Sequence, residues 1–537
     1  MAKTAGPSAR IDTRSAVQTE IDPNIYRRRY LILGSLCLCL VLVVATVSSV
    51  NVAIPTLAAN LKPTDTQVLW IVDAYAIVFA GLLLFSGALG DRFGRKGALL
   101  TGLVIFAGAS ILCSQSTSPT VLIGYRAIMG IGAALIMPAT LSLLTSVFPR
   151  AERPKAIAIW AGFAGAGGAI GPVMGGVLIE HFWYGSVFFV AVPIAAITFV
   201  MIALLAPTSK ESVATKLDPV GALFSMVGFS ALLLAIIEGP EKGWTAPLVL
   251  ISFAVAAAGL IGFVLWERSV ASPMLDMNFF RQRRFAMGSL GVTFTFLAMF
   301  SLFFILTQYL QYVRGYGPLK AGCAGLPFAF TMIAVSPRAT NIAAGIGLRN
   351  TVVAGEALMG VGLLIMSFSG LTTPYVVVAL ALVVMAFGVA IAMPSLTSGI
   401  LSSVPMNKAG VGSAVNDTTR EVGGAIGIAV VGSVVSSIYR SHLKPTLARL
   451  ASQGPDGAAA ASQARKSVGR TNAVAKALEA GPGGRVASVQ FLDEVHHAFV
   501  DGLRVGLWVA AAVVFVSAFV LALRHPAHAD AAPVGGH

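Results

Sequence analysis

GALGDRFGRKGALL, residues 87–100, places one acid and three cations within six positions, Asp91 to Lys96, between two long apolar runs. The surrounding chain is unusually apolar. Of its 537 residues 56% are hydrophobic and 11% charged, whereas a soluble domain is about one quarter charged. Apolar runs long enough to cross a bilayer as helices, which takes about 20 residues, recur along nearly the whole length. Backbone groups in lipid must be satisfied internally, and these runs lack the period-two alternation of barrel strands, so the spans are helical. The sequence therefore predicts an all-α polytopic membrane protein.

Fourteen spans are expected, at about 30–54, 67–89, 97–116, 119–147, 156–179, 187–206, 219–237, 247–266, 285–307, 320–337, 351–369, 375–397, 411–437 and 502–523. Charge bias orients them, because Lys and Arg of short loops mark the cytoplasmic side. With the N-terminus inside, the inside segments carry about 22 Lys and Arg and the short outside loops about four. The net charge of +14 thus reflects topology rather than a face for nucleic acid. The exception is 438–501, a long cationic segment that lands outside, where length releases it from the charge rule. The first 29 residues end in Arg27, Arg28 and Arg29, and the next run reads as a retained span rather than a cleaved signal.

The four cysteines, Cys37, Cys39, Cys113 and Cys323, all fall in expected spans and read as small packing residues. Asp493, Glu494, His496 and His497 in FLDEVHHAFVDGL have no metal-ligand spacing, so no metal site is expected. There is no GxxxxGK[ST] phosphate loop, GxSxG elbow or HExxH pair, which argues against an ATPase and against an enzyme.

In the opening stretch Gly87 and Gly90 are expected to allow close helix approach, and Gly94 a tight turn. Basicity alone suits any cytoplasmic loop, but the order Gly-x-Leu-Gly-Asp-Arg-x-Gly-Arg-Lys is more specific. It resembles the signature loop of the major facilitator superfamily at Gly87, Leu89, Gly90, Asp91, Arg92, Gly94, Arg95 and Lys96. YRAIMGIGAA, with Arg126, Gly130 and Gly132, resembles that family's arginine motif, with Met129 in place of the usual glutamine. GFAGAGGAIGPVMGG, with Gly162, Gly171, Pro172, Gly175 and Gly176, resembles the antiporter motif of its drug:proton exporters. NVAIPTL, LWIVDAY and HFWYGSVFFVAVP are similar to the fourteen-helix branch. Thr46 stands where that branch often has an acid, Gly185 and Ser186 stand where it is Arg-rich, and a second-half copy of the loop survives only as Gly347 and Arg349 in SPRATNIAAGIGLRNT.

The resemblance implies two six-helix halves, 30–206 and 285–524, with a two-helix hairpin inserted in the linker 207–284 and tails at 1–29 and 525–537. It implies a gating loop at 87–96 and proton-driven export of amphipathic, often cationic drugs or dyes by alternating access. The implied setting is a bacterial cytoplasmic membrane with both termini cytoplasmic, no cofactor beyond the proton gradient, no nucleic acid partner, and a monomer. A periplasmic adaptor is left open. An exporter of an endogenous metabolite or lipid, or more remotely a membrane sensor that does not transport, would share the fold.

Ionisable residues inside spans are costly and so are candidates for proton coupling. They are Asp73, Arg126, Glu356, Asp417, Arg420 and Glu421. Asp73 is the first choice, with Arg126 as the cation that biases it. Glu356 is either a deep proton site or a partner of Arg349, depending on its depth. Asp417, Arg420 and Glu421 at i, i+3 and i+4 form either a relay or a self-neutralised patch. Asn51, Trp70, Tyr75, Trp160, Phe163, Phe294 and Phe296 are candidates to line a cavity for planar cations.

Overall fold

The computed structural model describes residues 21–208, 217–452, 454–466, 468–479 and 484–526. Among them are fourteen helices long and apolar enough to span a membrane, and no strand. The first half comprises α1 (Pro23–Leu61), α2 (Asp65–Phe93), α3 (Arg95–Ser114), α4 (Pro119–Val147), α5 (Arg153–His181) and α6 (Ser186–Leu205). Next come α7 (Pro219–Lys242) and α8 (Pro247–Ser269), packed on each other as a hairpin. The second half comprises α9 (Arg283–Val313), α10 (Pro318–Ile346), α11 (Leu348–Ser367), α12 (Tyr375–Ser402), α13 (Ala409–His442) and α14 (Gly484–Arg524).

Local chemistry sets the helix ends. Thr64 and Gln67 form a reciprocal capping box at the start of α2, and the Asp218 carboxylate caps α7 by accepting from the Gly221 N–H at 2.8 Å. Proline at the first or second position opens α1, α4, α5, α7 and α8, where its missing N–H costs nothing. Large exposed apolar residues such as Ile197, Val200 and Leu204 on α6 and Ile251, Ile261 and Leu265 on α8 give these helices faces suited to lipid.

The halves meet along two seams, α2 against α13 and α5 against α10. The hairpin leans on the first seam through α7, which touches both α2 and α13. A methyl group on Gly81 of α2 would lie 2.2 Å from the Ser230 hydroxyl of α7, so this contact depends on the missing side chain.

Two junctions have no loop at all. Gly94 ends α2 and starts α3 at φ 110°, and Gly347 does the same between α10 and α11 at φ 87°. Two residues beyond each glycine, a cation ties its helix to the last helix of its own half. Lys96 donates to the carbonyls of Ala203 and Ala206, both at 2.8 Å, and Arg349 donates to the carbonyl of His525 at 2.8 Å. The degenerate second copy of the loop therefore keeps its turn and this tie.

Several expectations need correction. The last helix is continuous from Gly484 rather than from 502, and α13 continues to His442. Between them lie three short helices, Lys444–Ala451, Pro455–Lys466 and Val468–Glu479. Leu447, Leu450, Val474, Phe491, Val495 and Phe499 are buried there, so the 438–501 excursion folds an apolar interior continuous with the main core. The tenth span is broken, running as Pro318–Cys323, Leu326–Val335, a 3-10 turn and Ala339–Ile346. Cys323 is exposed, whereas Cys37, Cys39 and Cys113 are buried. Gly90 makes no close helix contact, since a methyl there would meet only Ala98 at an ordinary 3.7 Å.

Gly94→Ala should therefore cost about 1–3 kcal/mol, the usual price of forcing a side chain into glycine-only backbone space. Gly90→Ala should stay within about 0.5 kcal/mol. Thermal unfolding of the two purified variants distinguishes them, and equal shifts would contradict the assignment.

Candidate functional site: the seam between the halves

At one end of the molecule the opening stretch forms a latch. Asp91, at the end of α2, accepts from the N–H groups of Gly410 and Val411 at 2.9 and 3.1 Å. These are among the first amides of α13, which have no partner within their own helix and carry its positive dipole end. Arg95 pairs with Asp91 at 3.1 Å and donates to the Met406 carbonyl at 2.5 Å. Asp91 and Arg95 are almost fully buried, so one acid and one cation from the first half satisfy the backbone of the second. Arg92 lies over its neighbour Phe93 and takes no part in the latch bonds.

Glycine makes the approach possible. A methyl on Gly87 would lie 2.5 Å from the Gly410 carbonyl oxygen, and one on Gly410 would lie 2.5 Å from the Gly87 oxygen. The hairpin reaches the same place. Lys408, which precedes α13, donates to the Pro273 carbonyl at 2.7 Å, and a small cavity there brings Asp91, Asp218, Lys408 and Val411 together.

The α5–α10 seam is built from the glycines of GFAGAGGAIGPVMGG. Gly171 and Gly175 face Ala45, Ser48 and Ser49 of α1, whereas Gly162 faces Met332 and Ser336, and Gly176 faces Leu319. At Gly176 an added methyl would lie 2.7 Å from the Leu319 Cα, and at Gly322 it would lie 2.7 Å from the Pro172 carbonyl carbon. The Ser336 hydroxyl donates to the Ala158 carbonyl across this seam. A cavity of about 20 Å³ remains beside Val52, Pro172, Thr307 and Gln311, room for about one water. The halves therefore touch near both ends, at Asp91 against Gly410 and at Gly176 against Leu319.

The membrane-embedded charges lie in and beside these seams. Arg126 is fully buried, donates to the Ile71 carbonyl at 2.9 Å and lies 4.6 Å from the Tyr75 ring centre. Half-buried Asp73 is within its electrostatic reach. Asp417 pairs with Arg420 at 3.3 Å and accepts from Asn416, whose own side-chain oxygen accepts from Thr397 at 3.0 Å. The second Asp417 oxygen is buried without a hydrogen bond. Glu421 acts electrostatically on both Arg420 and Tyr75, which links this cluster to the α2–α4 pair.

Glu356 stands apart. It lies eight residues into α11 and is fully buried; one oxygen accepts from Thr295 at 3.1 Å, and the other has no partner. Its depth excludes the pairing with Arg349, whose guanidinium is committed to His525.

Of the candidate cavity residues, Tyr75 and Trp160 are buried on the seam. Trp70, Phe163 and Phe294 are half-buried, and Asn51 is exposed. Sequence reading missed Met406, Gly410 and Val411, because their role comes from backbone groups and no residue pattern marks it, and Lys408, whose ammonium acts on a distant backbone carbonyl. It also missed Thr295 as the partner of Glu356, although a hydroxyl one position before Phe296 was visible.

The model of the Major Facilitator Superfamily matches residues 36–428. Among curated proteins, the multidrug efflux pump LfrA of Mycolicibacterium smegmatis is 33% identical over 92% of this chain and 96% of its own length. The methylenomycin A resistance protein of Streptomyces coelicolor is 35% identical over 73% of this chain and 82% of its own. The methyl viologen resistance protein SmvA of Salmonella typhimurium is 29% identical over 91% and 97%. Among solved structures, the human organic anion transporter MFSD10 superposes with a TM-score of 0.57 at 15% identity, covering 93% of this chain and all of that one, a likeness of fold.

The charge geometry separates two substitutions. Asp417→Asn leaves the Arg420 guanidinium buried without its carboxylate and should cost about 3–5 kcal/mol. Glu356→Gln keeps an acceptor for Thr295 and has no cation to orphan, so its Tm should match or exceed that of the parent. A Glu356→Gln protein as unstable as Asp417→Asn would show that Glu356 has an ionic partner.

Proposed function

This chain belongs to the major facilitator superfamily, and from that premise we propose that it is an efflux transporter exporting amphipathic, chiefly cationic drugs by exchange for protons. It is a multi-pass membrane protein and not an enzyme. The latch end faces the cytoplasm and both termini lie on that side, in the cytoplasmic membrane of a bacterium, where the chain acts as a monomer powered by the proton gradient without a cofactor.

The observation that carries the reading is the placement of Arg126, Asp417 and Arg420. All three are buried on helices that line the space between the halves, where charge is tolerated only for a purpose. Sequence likeness to efflux and resistance proteins over most of the chain supports the class of cargo. Alternating access then proceeds by breaking one closed end at a time. At the cytoplasmic end Asp91 releases the amides of α13 and Arg95 releases Met406; at the outer end α10 parts from Pro172 and Gly176. Once either end opens, the buried acids meet water, and each can exchange a proton with that side. Asp73, half-buried beside Arg126, is reached first and is assigned the coupling proton, with Glu356 and the Asp417–Glu421 pair as the deeper acids.

The test is substrate-triggered proton release from inside-out vesicles holding a pH gradient, with a quaternary ammonium dye as cargo. Wild-type release that disappears in a correctly inserted Asp73→Asn variant is expected. Release that survives in the variant moves the coupling to Glu356 or the Asp417 cluster. No release with any of a broad panel of cations would overturn cation exchange and favour an endogenous metabolite or lipid as cargo. Gly87→Leu should abolish transport at normal abundance, because the latch end can no longer close.

A further inference from the structure

Arg420 occupies a position with the chemistry of a binding site. Its guanidinium carbon lies 5.5 Å from the centre of the Trp160 ring and 4.6 Å from that of Phe296. Trp160 comes from α5 in the first half and Phe296 from α9 in the second, while Arg420 is on α13. Trp160 is fully buried and its indole N–H donates to Thr140 at 3.3 Å, which steadies the ring. The cation is held ionically by a single contact, Nη1 to Asp417 Oδ1 at 3.3 Å, and Asp417 Oδ2 is buried with no hydrogen-bond partner. Arg420 itself is 5% exposed.

We infer that Arg420 is a built-in stand-in for the cargo, filling, while the halves are engaged, the aromatic and acidic site that a planar organic cation takes when they part. The inference deepens the export reading above and rests on it for the existence of cargo. A guanidinium is flat, delocalised and weakly hydrated, and it stacks on aromatic faces. Those are the properties that distinguish planar aromatic cations from compact ammonium ions, which hold their water more strongly.

The geometry also supplies an order of events. Phe296 and Arg420 lie on two helices of the same half that pack on each other, whereas Trp160 belongs to the opposite half. Separation of the halves therefore strips one aromatic face from Arg420 and leaves the other. The vacated indole face and the unused Asp417 oxygen are then open to an incoming cation. Arg420 must move aside for that cation and returns once it has left. Closure around an empty site is thereby possible without burying Asp417 unpaired, which is strongly unfavourable. Glu421, one residue further on and within electrostatic reach of Arg420, is a carboxylate that can receive the displaced guanidinium.

The experiment is equilibrium binding of ethidium to the full-length protein in lipid nanodiscs, read by fluorescence anisotropy, for the parent, Arg420→Gln and Arg420→Lys. Removing the resident cation should tighten ethidium binding at least fivefold in Arg420→Gln. Arg420→Lys, which keeps the charge but not the flat stacking group, should fall between parent and Arg420→Gln. Tetramethylammonium should compete poorly in all three. Unchanged or weaker ethidium binding by a folded Arg420→Gln protein would overturn the inference.

If Arg420→Gln does not fold because Asp417 is left unpaired, the double variant Asp417→Asn/Arg420→Gln replaces it. It should bind a neutral aromatic probe better than the parent does, because the space between the rings is vacant; binding no better than the parent again overturns the inference. A parent that transports no organic cation at all would refute the export reading, yet tighter ethidium binding by Arg420→Gln would still support the stand-in. The two ideas therefore fail separately.

Discussion

A carboxylate on one half of the molecule completes a helix that belongs to the other. Asp91 satisfies the amides of Gly410 and Val411, which α13 cannot satisfy itself. The bonds are charge-assisted and buried, so breaking them without replacement is costly, and water reaching the separated surfaces supplies that replacement. The same contact fixes the approach of α2 to α13, and with it the position of α7, which packs on both. The inserted hairpin is thus built into the seam, and Lys408 extends the tie to the segment after α8 through Pro273.

Much of this was legible in the order of residues and some was not. Hydropathy and charge bias gave fourteen helices because lipid leaves the backbone few options. They missed the extension of α14 back to Gly484, because a helix that rises out of the bilayer becomes amphipathic and loses its continuous apolar signal. The latch was visible at Asp91 and Arg95 but not at Met406, Gly410 and Val411, whose part is played by backbone atoms. The glycines of the antiporter-like motif were visible in the sequence, yet which of them face α1 and which face α10 is a matter of helical phase between partners. Arg349 was matched to the opening loop through Gly347, and the conserved element proved to be the tie at the second position after the glycine.

The buried charges follow two different strategies. Asp417 is balanced by Arg420 and steadied by Asn416 and Thr397, so its environment assumes a charged pair. Glu356, among the described residues, has one hydroxyl contact, from Thr295, and a second oxygen without a hydrogen bond. One half thus holds two acids by different means, one by a neighbouring cation and the other by a hydroxyl.

The glycine seams have a consequence for how the molecule moves. Where Gly87 meets Gly410 and Gly176 meets Leu319, the facing surfaces are largely backbone, with Asp91 and Arg95 the main side chains to reorder at the latch. Parting and rejoining them requires little search through rotamers, so little conformational entropy is gained or lost at these points in each round trip. Rejoining such surfaces asks the halves to return to register more than it asks side chains to find their rotamers.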